Sequence, residues 1–375
     1  IGWLLVGGRQ IADLGIGMPP TLSDARLIDA HGLILAPGLI DIHVHGALGF
    51  DTMDATPRAL GEMARFYARH GVTAFLATTM TGPTEAIMAA LVNIADVRRA
   101  GTRGAALLGA HIEGPYVDVA RRGAQDPSQV RPAAPDEYVP MFDTGVVRLL
   151  TVAPEYPENQ ALILYGVKHG AVVAAGHTRA SYEEMQRAVS LGVSQITHLF
   201  NGMEPMHHRT PGSVGAALTL DALRCQLIAD NVHVHPAVLK LAVRAKGIER
   251  IILITDAMRA TGMPDGDYDL GGQAASVRDG IARIAGGNLA GSTLALDRAV
   301  HNVMDAADLS LSQALTMATR TPAYALGLKA KGSIAVGMDA DLILIDAQAE
   351  VALTMVEGRV VYDAMASTAS SPTPE

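Results

Sequence analysis

Cysteine is almost absent from this chain: Cys225 is the single one in 375 residues. No disulfide framework is therefore available, and Cys225, inside the apolar run CQLIAD, reads as a buried inert thiol. Aromatic residues are scarce, at 4%, although hydrophobic residues reach 49%. The apolar content is carried by Ala, Val, Leu and Ile with many Gly, which suits a buried parallel sheet wrapped by helices. No apolar run is long enough for a membrane-spanning helix, and nothing resembles a secretory signal, so the expected location is the cytoplasm. Basic runs are missing too. Lys and Arg total 29 against 38 Asp and Glu, a net charge of −9. That balance argues against nucleic acid and anionic membranes as partners, while a local positive pocket could still take a small phosphorylated molecule.

What is present has a clear order along the chain. Residues 1–36 are short apolar fragments broken by Gly and Pro, and residues 330–363 have the same texture. Both ends read as β-strands with tight turns, which predicts one small β-sandwich assembled from the two termini. Residues 267–288 look like a hairpin that could join it, and the small polar tail 364–375 is expected to be disordered. Between the ends, apolar strands alternate with amphipathic helices over 37–329. Strands are expected at 39–46, 72–79, 107–114, 148–155, 172–178, 194–200, 224–230 and 251–258. Eight such βα units predict a (β/α)8 TIM barrel.

The stretch APGLIDIHVHG, residues 36–46, organises the rest. His43 and His45 stand one residue apart, so on a strand both imidazoles project to one face. Singly, an HxH pair is commonly two exposed polar residues. The other strand ends change that reading. Glu113 closes the third strand, His177 the fifth, His198 the sixth and Asp256 the eighth. In a barrel these ends share one rim, where active sites of this fold lie. Four imidazoles and two carboxylates there suit zinc or another divalent transition ion. His70, His169 and His301 fall in helical patterns and read as solvated or capping residues.

The set PGLIDIHVHG, HIEGPY, GHT, THLFNGM, ITDAM and LAGS, with the closing pattern SIAVGMDADLILID, resembles the amidohydrolase superfamily over nearly the whole chain. Within it, HIEGPY and THLFNGM are similar to the N-acetylglucosamine-6-phosphate deacetylases. The fourth-strand residues RLLTVAPE hold no lysine, so the branches with a carbamylated bridging lysine are excluded and Glu113 takes that place. The resemblance implies one divalent ion on Glu113, His177 and His198, and a second on His43 and His45 with Glu113 bridging. Some members lack the HxH and use one ion. It further implies hydrolysis of the acetamido group by metal-activated water, with Asp256 as general base and acid.

For the sugar phosphate, the resemblance points to Arg209 and His233 at the phosphate. Asn201 and Gly202 would add polar and backbone contacts, Ala124 and Gln125 would also meet the substrate, and Leu289, Ala290 and Gly291 would close over the sugar, with Ser292 beginning a helix. Members are homodimers with this pocket near the subunit contact. Two departures stand out: Gln125 occupies a position usually held by a carbonyl-polarising histidine, and Asn231 one usually held by Gly. Gln125 can donate a neutral hydrogen bond but carries no charge, so a metal on the His43/His45 side is expected to take over part of the polarisation. Alternatives are deacetylation of N-acetylgalactosamine 6-phosphate or another N-acyl amino sugar, and a non-catalytic barrel serving as a scaffold.

Overall fold

The run VTAFLATT is β-branched and apolar on both faces, and it forms an eight-residue strand with every residue buried. Such runs supply the centre of the computed structural model, which describes residues 2–368. Eight strands make one parallel sheet. They are β1 (Leu39–Val44), β2 (Val72–Thr79), β3 (Ala106–Glu113), β4 (Val147–Val152), β5 (Val172–Ala175), β6 (Val193–Ile196), β7 (Arg224–Ile228) and β8 (Ile251–Ile254). Each pairs with its successor in sequence. The helices that follow them are α1 (Pro57–Arg69), α2 (Thr84–Ala100), α3 (Pro135–Asp143), α4 (Pro157–Lys168), α5 (Tyr182–Leu191), α6 (Gly212–Thr219), α7 (Pro236–Lys246) and α8 (Leu296–Ala307). Proline opens four of these helices, where its missing N–H costs nothing. This is the expected (β/α)8 barrel.

Among the described residues no paired ladder joins β8 back to β1, and a side-chain bridge with backbone bonds past the end of β8 closes that seam. Asp41 Oδ2 accepts from the Thr255 hydroxyl at 2.6 Å, and its Oδ1 accepts from the His43 N–H at 3.2 Å. Just beyond, the Asp256 N–H donates to the His43 carbonyl at 2.9 Å. The N–H groups of His45 and Gly46 both reach the Ala257 carbonyl, at 2.8 and 2.9 Å. Burial pushes the Asp41 carboxyl up to about 6, with the Thr255 hydroxyl opposing the shift. The seam therefore fixes the two strand ends that carry His43, His45 and Asp256.

The termini build a separate layer. Gly2–Gly7 pairs with Gln10–Ile16, and a four-stranded sheet runs in the order 359–363, 351–356, 342–345, 34–37. The two sheets share a core of Ile11, Leu342, Leu344, Leu353 and Met355, the expected sandwich. Alternation along Leu342–Ile345 joins it to the barrel: Leu342 and Leu344 face the sandwich core, while Ile343 and Ile345 enter the barrel core.

Residues 266–284 do not join that sheet. They form a three-stranded antiparallel sheet of their own. Its apolar face, Leu270, Ala275, Val277 and Ala282, packs on Met80 after β2, Met258 after β8, and Ala290, which follows the small sheet itself. The tail also differs from expectation at its start. Asp363 Oδ1 accepts from the N–H groups of Met365 and Ala366, both at 3.0 Å, and Met365–Thr368 form a helical turn. Residues 369–375 of the expected tail lie outside the described residues.

Asp41→Ala removes the acceptor of the Thr255 hydroxyl proton and of the buried His43 N–H, at about 1–3 kcal/mol each. The expected loss in unfolding free energy is about 2–6 kcal/mol, read by denaturant titration of chelator-treated protein. An unchanged midpoint would show that the seam holds without Asp41.

Candidate metal centre and active site

Strand alternation does much of the placement. His43 and His45 come off β1 on the same side, with their Nε2 atoms 3.3 Å apart. Glu113 is the last residue of β3. His177, His198 and Asp256 lie just past β5, β6 and β8, where the backbone turns left-handed, with φ of +47°, +28° and +50°. None is glycine, so each conformation carries strain of about 1–3 kcal/mol that the surroundings must hold. All six side chains are buried.

Glu113 is the hub. Its Oε1 lies 3.2 Å from His177 Nε2, 3.0 Å from His198 Nε2 and 3.5 Å from His43 Nε2. Its Oε2 lies 3.3 Å from His45 Nε2. Asp256 Oδ1 stands 3.3 Å from His45 Nε2 and 3.5 Å from His43 Nε2. Two donor groups share the glutamate, His43/His45/Glu113 and Glu113/His177/His198, with the ligand atoms of each within 4.8 Å of one another.

The ring tautomers test whether this cluster suits a cation. His177 Nδ1 faces the Arg121 carbonyl at 2.9 Å, and a carbonyl only accepts. The ring proton therefore sits on Nδ1, leaving Nε2 bare in the neutral ring. His43 Nδ1 faces Gln226 Oε1 at 3.0 Å, with the same consequence. Two lone pairs thus confront the oxygen of Glu113, an arrangement that repels unless positive charge lies between. Imidazole and carboxylate donors converging this way fit a divalent transition ion.

Without a metal ion the cluster satisfies the same demand with protons. Burial works against a charged His45, yet bonding to Asp256 and Glu113 pushes it up to about 10. His43 and His177 are raised likewise against their burial, whereas burial takes His198 down. Burial also opposes ionisation of Glu113 and Asp256, but the charge on His43 and the bonds to the other imidazoles hold both carboxyls below their usual range.

Below the ligands lies a polar floor that the sequence reading did not single out. His111 is fully buried, with its ring centroid 4.5 Å from that of His43. The Val44 N–H donates to Thr78 Oγ1, and that hydroxyl faces His111 Nδ1 at 3.3 Å. His111 Nε2 meets Thr151 Oγ1 at 2.7 Å, and Thr151 meets Thr197 at the same distance. Burial and the neighbouring His43 keep His111 well below the ordinary imidazole value, hence neutral. Its signal in the sequence was the same alternation that pairs His43 with His45: His111 and Glu113 share one face of β3.

An open cleft of about 220 Å³ sits over the centre, the scale of one small molecule rather than a polymer. His45, Glu113, His177, His198 and Asp256 line it, with Ala124, Gln125, Asn201, Gly202, His233, Leu289 and Gly291. Three expectations come out differently. Arg209 is exposed beside His208 and does not line this cleft. Ala290 is turned into the apolar cluster beneath the small sheet. Ser292 begins no helix, since α8 starts at Leu296 and the Ser292 hydroxyl is spent on the Thr255 carbonyl at 2.6 Å. Met80, Gly123, Leu270 and Asn288 line the cleft unforeseen, because they come from the barrel mouth and the sheet folded over it.

His233 is oriented by Asp230, whose Oδ2 lies 2.6 Å from its Nδ1. Asn231 between them adopts φ +64°, which Gly takes freely and Asn tolerates, so the departure leaves the backbone path intact. Gly202 is needed for packing: with φ +58°, a Cβ there would lie 2.8 Å from His177 Nδ1 and 2.9 Å from the Arg121 carbonyl oxygen.

Comparison with known proteins agrees with this geometry. Residues 34–361 match the model of the Amidohydrolase family. An N-acetylglucosamine-6-phosphate deacetylase of Vibrio furnissii is 43% identical over 89% of this chain and 84% of its own. An N-acetylgalactosamine-6-phosphate deacetylase of Escherichia coli O157:H7 is 38% identical over 96% of both chains. A solved structure of a Mycobacterium smegmatis N-acetyl-D-glucosamine-6-phosphate deacetylase variant, in complex with N-acetyl-D-glucosamine-6-phosphate, superposes with a TM-score of 0.90. It is 35% identical, covering 96% of this chain and 94% of that one. With its barrel, its shared glutamate and these relatives, the chain belongs to the amidohydrolase family.

Proposed function

We propose that the chain hydrolyses the acetamido group of N-acetylglucosamine 6-phosphate, giving glucosamine 6-phosphate and acetate. The observation that carries the reading is Glu113 shared between two imidazole pairs, with Asp256 beside them at the floor of an open cleft. Glu113, His177 and His198 would hold one divalent ion, and His43 and His45 with Glu113 a second. Zinc is the first expectation, and iron or another transition ion suits the same donors. A bound ion supplies Lewis acidity toward the amide carbonyl and lowers the pKa of water from about 15.7 toward ~7.

The remaining work falls to the chain's own groups. Asp256 is ionised and 12% exposed at its side chain, so it can meet a water in the cleft. It takes the proton of the attacking water and returns it to the nitrogen as the C–N bond breaks. Without that return the amine would be a very poor leaving group. Ala124, Asn201, Gly202, Leu289 and Gly291 shape the wall for a sugar ring. His233, held by Asp230, would face the phosphate from the cleft wall. Arg209 lies outside the cleft of its own chain, which is consistent with a homodimer in which it reaches the partner's cleft. A cytoplasmic location fits a phosphorylated sugar substrate.

The second reading is the 4-epimer, N-acetylgalactosamine 6-phosphate, favoured by the relative of that activity that matches along nearly the full length of both chains. Acetate release from the two epimeric phosphates, and from both sugars without phosphate, decides between them. The expected result is preference for the glucosamine phosphate and a large loss without the phosphate. Release of ammonia, or equal turnover of unphosphorylated sugar, would refute the proposal. Asp256→Asn should lower kcat by about 10²–10⁴-fold, the range for a lost general acid–base, while chelation abolishes and zinc restores turnover. Full activity in that variant would remove Asp256 from the mechanism.

A further inference from the structure

The amide of Gln125 is committed on both sides. Its Oε1 accepts from the backbone N–H of Thr81 at 2.8 Å, and its Nε2 donates to Glu113 Oε2 at 2.9 Å. A backbone N–H can only donate, so the carbonyl end must face Thr81 and the NH2 end must face the carboxylate. Gln125 is buried, and it reaches Glu113 from a loop fastened on several sides. Its own N–H donates to the Arg122 carbonyl at 2.9 Å, and the Ala124 carbonyl accepts from Gln273 Nε2 at 2.6 Å. The Gly123 carbonyl accepts from Asn288 Nδ2 at 3.3 Å. Thr81 is fixed as well, because the loop after β3 presses on it: a Cβ on Gly114 would lie 2.0 Å from Thr81 Oγ1.

We propose that Gln125 is a positioning residue for the shared carboxylate, not the group that polarises the scissile carbonyl. Glu113 Oε1 is gathered by His177 and His198, but nothing on that side sets the plane of the carboxylate. Gln125 sets it by holding Oε2, the oxygen turned toward His45. Without that bond Oε2 is free to rotate away, and the His43/His45 half loses its third donor while the Glu113/His177/His198 half keeps all of its own. The inference rests on the metal-hydrolase reading and predicts a loss confined to one half of the centre.

The test is zinc binding to chelator-treated protein, measured in competition with a chromophoric chelator, with elemental analysis for stoichiometry and kinetics alongside. Wild type should take two ions per chain. Gln125→Leu should keep one ion at wild-type affinity, weaken the other by about 10–100-fold, and lower kcat with KM unchanged. The retained tight ion shows that the variant is folded. If Gln125→Leu does not fold, Gln125→Asn, one methylene too short to span Thr81 and Glu113, should give the same selective loss. Two tight ions in the variants, equal weakening of both, or an effect on KM alone would overturn the inference. A wild type that binds one ion would overturn it too, by removing the shared bridge. A wild type that binds none would overturn the metal reading itself.

Discussion

A carboxylate buried among four imidazoles cannot be left without positive charge. Glu113 meets His177 and His198 at 3.2 and 3.0 Å through one oxygen and His45 at 3.3 Å through the other. Two of those rings, His177 and His43, have their protons committed elsewhere, to the Arg121 carbonyl and to Gln226. The cluster therefore gathers positive charge, as protons or as a bound cation, and much of the surrounding structure keeps these donors from relaxing apart. The seam through Asp41 and Thr255 holds β1 against β8, so His43, His45 and Asp256 stay in register. Left-handed turns at His177, His198 and Asp256 swing three side chains inward at a conformational cost.

Beyond the ligands, each contact has a distinct job. Gln226 and the Arg121 carbonyl fix ring tautomers. Gln125 fixes the plane of the glutamate. His111 is kept neutral beneath His43 and shares its hydrogen bonds with Thr78 of β2 and Thr151 of β4. Barrel interiors are usually filled by branched apolar side chains, so a polar layer here is an outlay in stability that makes sense beneath a centre needing fixed donors.

Much of this was legible in the sequence, for a physical reason. Strand periodicity and the one-rim rule of parallel barrels translate a polar residue at a strand end directly into a position in space. That is why His43, His45, Glu113, His177, His198 and Asp256 could be grouped without coordinates. The same logic reaches His111, which shares the face of Glu113, although the sequence reading passed over it. What the sequence could not carry was the orientation of groups delivered by loops. Gln125 looked like a donor to substrate, and only the Thr81 N–H shows that its amide is turned to Glu113. Arg209 sits on a loop and is exposed beside His208, outside the cleft, a placement that strand periodicity does not set. Residues 266–284 have the texture of the terminal sheets, and their place was decided by an apolar face matching Met80, Met258 and Ala290.

The role of Glu113 as the shared ligand is read directly by anomalous diffraction at the zinc edge, from crystals grown with zinc. That role predicts a peak within about 2.0–2.2 Å of Glu113, His177 Nε2 and His198 Nε2, with a second toward His43 and His45 on the other glutamate oxygen. A catalytically active crystal with its zinc elsewhere, or with Glu113 turned away from every ion, would contradict it.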